Sequence, residues 1–228
     1  MLHLTTLIAV IATLELLLAA ALLKRYIRTK RPLTLCVLLI CLGLFIDAFL
    51  IAIGSPAGGL SENVSRLRFI AHGTLIPLLL PICGYGLKAK PLTMKVLWGF
   101  TAVVMALGLA HAFAINLDVT EYSGVLRHTM ADSSPAWARI VSSALSFGTV
   151  LPLIICGIMV WIRQKTPYLF LSGLLMFVFA GLGPAIGRFD LIFFISMFGE
   201  LFMIAFAFLY IIRDEKINPV EPDISHAV

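Results

Sequence analysis

Residues 33–53 read LTLCVLLICLGLFIDAFLIAI, one aspartate in an otherwise apolar run. A helix needs about 20 such residues to cross the ~30 Å hydrocarbon layer of a bilayer. This run therefore decides the fold class, and similar runs recur along most of the chain. Seven spans are expected, at about 3–23, 33–53, 69–87, 96–115, 140–162, 169–187 and 191–212. The fold class that follows is an all-α integral membrane bundle over 1–212, with a polar cytoplasmic tail over 213–228. Composition agrees: 61% of the 228 residues are hydrophobic and 13% are charged, against roughly 25% charged in soluble domains. A soluble protein this apolar would expose large patches and aggregate. The longest polar stretches are a loop at 116–139 and the tail, and neither reads as a separate domain.

Charge sets the expected orientation. Segments 24–32, 88–95, 163–168 and 213–228 hold twelve of the 17 Lys and Arg residues, including every lysine. The other side holds Arg66, Arg68, Arg127, Arg139 and Arg188. The basic side is the cytoplasmic one, which puts the N-terminus outside and the C-terminus inside. The first span is not a cleaved signal peptide, because Lys24, Arg25 and Arg28 follow its apolar run instead of preceding it. The net charge of +5 does not point to nucleic acid, since no basic stripe with interleaved aromatics lies outside the spans. The chain reads as a multi-pass protein of a cell membrane, of the bacterial inner-membrane or plasma-membrane type, with the lipid bilayer as its constant partner.

Small residues mark where helices meet. Gly173, Gly181, Gly183 and Gly187 suit close backbone approach in the sixth span. Gly73-Thr74-x-x-Pro77-Leu78 recurs as Gly148-Thr149-x-x-Pro152-Leu153, which makes a duplicated two-helix unit conceivable. Asn63-Val64-Ser65 matches a glycosylation sequon and reads as a chance occurrence. Cys36, Cys41, Cys83 and Cys156 fall within spans without metal-ligand spacing, and read as packing residues.

Ionisable groups inside the spans are few: Glu15, Asp47, His72, His111 and Glu200. Each costs about 2.5–3.5 kcal/mol at a membrane centre on insertion scales, so each should face the bundle interior. At 1.5 Å per residue, Asp47, Arg68, His72 and His111 fall in the outer third. Glu15 and Glu200 fall near the midplane and meet if the first and last spans are neighbours, a proton or cation site in outline. Arg68 and His72 share a helix face at i, i+4. Asp47, Arg68, His72 and Arg188 are the candidates for ligand binding or ion pairing.

Several chemistries can be tested on this pattern. No span contains a lysine, so a retinal Schiff base is excluded. His72 and His111 lie at matching depth on adjacent spans, as axial haem ligands would. A zinc hydrolase would draw three ligands from Asp47, His72 and His111, with Glu15 or Glu200 as general base. No H-E-x-x-H motif is present. Arg66, Arg68, Arg139 and Arg188 with His72 lack the surrounding signature of an acid phosphatase.

The stretch Phe45-Ile46-Asp47 to Gly54, followed by Arg68-Phe69-x-x-His72 to Pro77-Leu78-Leu79, resembles a pattern in uncharacterised bacterial multi-pass membrane proteins. Those often carry an asparagine where this chain has Ala48. The resemblance covers residues 40–82 and implies roles for Asp47, Arg68 and His72 without supplying a substrate. Three readings stand. The favoured one is binding or transport of a small molecule or lipid in an outward-facing polar cavity. The second is a membrane-embedded, metal-dependent hydrolase acting on lipid. The third is a structural or regulatory protein whose buried charges only lock helices.

Overall fold

A computed structural model describes residues 2–185, 187 and 191–218. It is predominantly helical, and the apolar runs set the helices. In chain order these are α1 (Leu2–Thr29), α2 (Pro32–Gly54), α3 (Glu62–Leu75), α4 (Leu79–Gly86), α5 (Pro91–Ala114), α6 (Ala136–Gln164), α7 (Tyr168–Ala185) and α8 (Ile192–Ile217). A 3-10 turn over Ile76–Leu78 joins α3 to α4, so the two form one interrupted rod. The cause is Pro77, which has no N–H to continue the ladder. Pro152, by contrast, sits inside an unbroken α6. The two halves of the six-residue echo therefore differ in backbone, although Thr74 and Thr149 both bond the carbonyl four residues back, at 2.7 Å.

Among the described residues, six rods are long and apolar enough to cross a membrane: α1, α2, α3–α4, α5, α6 and α8. The seventh, α7, is apolar over Tyr168–Leu182. The helices outrun the apolar runs at several ends. α2 and α5 begin with Pro32 and Pro91 in the first turn, where a missing N–H costs nothing. α8 continues through Asp214 and Glu215, which pair with Arg31 at 2.7 Å and with Arg25. Residues 219–228 of the expected tail, together with Arg188 and Asp190, lie outside the described residues.

The helices close into a ring in which α1 packs on α8 as well as on α2, and α2 also reaches α8. α2 and the α3–α4 rod are the most enclosed. Glycines allow the tightest crossing. A Cβ on Gly73 would sit 2.5 Å from the Gly108 carbonyl oxygen, and one on Gly108 would sit 2.0 Å from that of Gly73. α3 and α5 thus touch backbone to backbone. Of the sixth-span glycines, Gly173 packs against α6, whereas Gly181 faces open space.

The expected loop 116–139 contains a β-hairpin, the one departure from helix and loop among the described residues. β1 (Leu117–Tyr122) pairs antiparallel with β2 (Val125–Met130), with Tyr122 opposite Val125. Ser123 and Gly124 both have positive φ, 50° and 81°, as a two-residue type I′ turn requires. The hairpin docks on the end of the bundle. Val125 is fully buried among Ile8, Ile11, Ala48, Ile51, Phe193 and Met197, and Ser55 Oγ accepts from the Leu126 amide at 3.1 Å.

Candidate functional site

The hairpin roofs a cavity of about 420 Å³ lined by Asp47, Arg68, His72, His111, Arg127 and Glu200. These residues come from α2, α3, α5, β2 and α8. No single helix face carries them, so the site exists only once the ring closes.

The Arg68 Nε donates to Asp47 Oδ1 at 2.5 Å, and its Nη1 donates to the His128 carbonyl at 3.3 Å. Both side chains of the ion pair are about nine-tenths buried. A buried guanidinium needs such a partner, because an unpaired charge would meet the full desolvation cost. His128 is fixed in turn by Ser65, whose hydroxyl lies 2.9 Å from its Nδ1. The hairpin therefore holds Arg68 from above while Asp47 holds it from the side.

One helical turn deeper, His72 Nε2 lies 3.3 Å from Glu200 Oε1. Glu200, expected near the midplane, thus meets His72, expected in the outer third; α8 starts at Ile192, which puts Glu200 about 12 Å from that end at 1.5 Å per residue. Single ligand atoms of Asp47, His72 and Glu200 all lie within 4.8 Å of one another. His111 lines the same cavity but is not part of this trio, and neither of its ring nitrogens has a hydrogen-bond partner. Glu15 does not line the cavity. It is 1% exposed, both of its carboxyl oxygens lack partners, and Glu200 and Asp47 are its electrostatic neighbours. Arg188 lies outside the described residues.

The sequence places Arg127 only among the outer-side charges. Its guanidinium stacks over the Phe193 ring at 4.4 Å and the Tyr122 ring at 5.5 Å, a cation–π arrangement. Among the described residues it makes no ion pair, and its Nε is buried without a partner. Burial pushes its pKa down to about 10, so it remains charged at neutral pH. The missed signal was the alternation in Asp118-Val-Thr-Glu-Tyr122 and Val125-Leu-Arg-His-Thr129 around Ser123-Gly124, which is a hairpin pattern. Arg66 donates to the Ala112 and Ile115 carbonyls at 2.7 and 3.0 Å, capping the end of α5.

A second cavity, of about 270 Å³, adjoins the first. The two share His72, Ile76, Ser146, Ser196 and Glu200 as a common wall. Beyond that wall the lining turns apolar, with Leu79, Val150, Met176, Phe177 and Met203. No protein-family model matches the chain, and no curated protein is significantly similar to it.

Proposed function

We propose that this chain is a seven-span membrane protein, N-terminus outside, that binds an anionic amphiphile, a small molecule or a lipid, in an outward-facing cavity. The observation that carries this reading is the shared wall between a polar cavity and an apolar one. A headgroup and a short chain have the same two-part character. Ligand sites generally combine apolar walls with a few placed polar groups. Arg127 favours a negative headgroup, because it is a cation lining the cavity that makes no ion pair among the described residues and whose Nε is buried without a partner. The skew of lysines toward the end opposite the hairpin supports the orientation. The residues quoted for the bacterial multi-pass pattern, Asp47, Arg68 and His72, all lie on this cavity, which supports a shared role.

The test uses purified full-length protein in a mild neutral detergent. Decyl phosphate, decanol and decyltrimethylammonium are titrated and read by thermal shift and tryptophan fluorescence. Saturable binding of decyl phosphate is expected, weakened at least tenfold by Arg127→Ala and by Ala180→Trp, which fills the apolar cavity. Equal binding of all three probes, or indifference to both substitutions, would sink the reading. Reporter fusions at the hairpin and after α8 test the orientation separately.

A further inference from the structure

Three groups with metal-ligand chemistry converge on the cavity: Asp47 from α2, His72 from α3 and Glu200 from α8. We propose that they form a binding site for a divalent first-row transition-metal ion, with the remaining coordination position open to the 420 Å³ cavity. This goes beyond amphiphile binding and does not rest on it, since the ion would be held by the protein alone.

The spacing carries the argument. Ligand atoms about 2.0–2.1 Å from a tetrahedral ion lie roughly 3.3 Å from each other. His72 Nε2 and Glu200 Oε1 are 3.3 Å apart. No separation in the trio exceeds 4.8 Å, so side-chain movement of at most about 1.5 Å closes the set around a tetrahedral centre. His72 has room for that movement, with 38% of its side chain open to the cavity. The donor set of one imidazole and two carboxylates suits zinc, manganese or cobalt. Three protein ligands with an open position is the arrangement of a reactive site; a structural zinc site is closed by four.

The surroundings fit the same reading. Arg68 fixes one oxygen of Asp47 and is itself fixed by the His128 carbonyl. Groups that orient a ligand in this way tune metal affinity as much as the ligands do. The carboxyls of Asp47 and Glu200 both line the cavity, so an ion held there would have two anionic ligands and one imidazole. His111, with both nitrogens unpartnered, faces the same space, but it lies outside the trio and serves as the internal comparison.

The experiment is a titration of chelator-treated, full-length protein with zinc, followed by calorimetry and by elemental analysis after desalting. Cobalt(II) is titrated in parallel for its visible absorption. One zinc per chain at micromolar affinity or tighter is expected, with intense cobalt bands of low coordination number. His72→Ala and Glu200→Gln should each weaken zinc at least tenfold and abolish the cobalt bands, whereas His111→Ala leaves both unchanged. Glu200→Gln preserves shape, so it carries the test if His72→Ala fails to fold. Absence of stoichiometric zinc in the wild type would overturn the site. Loss in His111→Ala with retention in Glu200→Gln would overturn the ligand set. Because no amphiphile is present, failure here leaves the decyl phosphate result standing, and the reverse also holds.

Discussion

The two ends of the bundle are built on different principles. At the end away from the hairpin, Ile40, Cys41, Leu44, Ile82, Leu153 and Tyr210 belong to one dry cluster. Polar groups there are few: Gln164 donates to the Gly86 carbonyl at 2.7 Å and accepts from Tyr210 at 3.2 Å, while the buried hydroxyls of Thr34 and Thr166 have no partner. At the hairpin end the apolar cluster is smaller, and the space between helices holds ionisable groups and a cavity. Cohesion there comes from ion pairs and hydrogen bonds that cross from element to element. One half resists change because it is full. The other keeps empty volume, and its unpartnered polar atoms on His111 and Arg127 are the natural handles for something bound.

This contrast can be broken by substitution, with unfolding in mixed micelles as the measurement. The largest effect is expected from Asp47→Ala. It leaves the buried Arg68 guanidinium unpaired, which costs about 3–5 kcal/mol, and the double variant Asp47→Ala/Arg68→Met should recover part of that. If Asp47→Ala costs less than 1 kcal/mol, the hairpin end is not held by its charges. Leu153→Ala, at a fully buried position of the dry half, should cost about 3 kcal/mol and leave decyl phosphate binding unchanged. A change in binding would show that the two halves are not separable. Gly108→Ala forces a methyl into the Gly73 backbone and should cost about 2 kcal/mol through overpacking. Ser65→Ala removes the hydroxyl beside His128 at about 1 kcal/mol. Its sharper readout is faster amide exchange confined to the hairpin, and uniform exchange would mean that the hairpin is not a separate cooperative unit.

Much of the architecture could be read before any coordinates. A helical rod falls on each of the seven expected runs, six of them long and apolar enough to cross a membrane, because apolar length is a local property of sequence. Asp47 and Arg68 could be placed at similar depth by counting residues from neighbouring loops. The meeting of His72 with Glu200 could not be read in the same way, since counting along single helices does not say which side chains on different helices will touch. The hairpin was hidden for a different reason. A polar stretch between long apolar runs reads as loop, although Ser123-Gly124 supplies the turn chemistry. Missing the hairpin meant missing Arg127 as a cavity residue. The Gly73–Gly108 contact was illegible in principle, because spacing along one helix says nothing about which glycine on another will face it.

The hairpin has a consequence for the company this protein keeps. A two-stranded sheet has two free edges, and such edges can recruit strands from other chains. Here β1 carries two exposed acidic residues, Asp118 and Glu121, and an exposed valine, Val119. Those carboxylates, close to the strand's main-chain groups, would repel a second copy of the same strand brought alongside in an antiparallel register. A crowded population of these molecules thus carries its own safeguard against stitching together through their roofs.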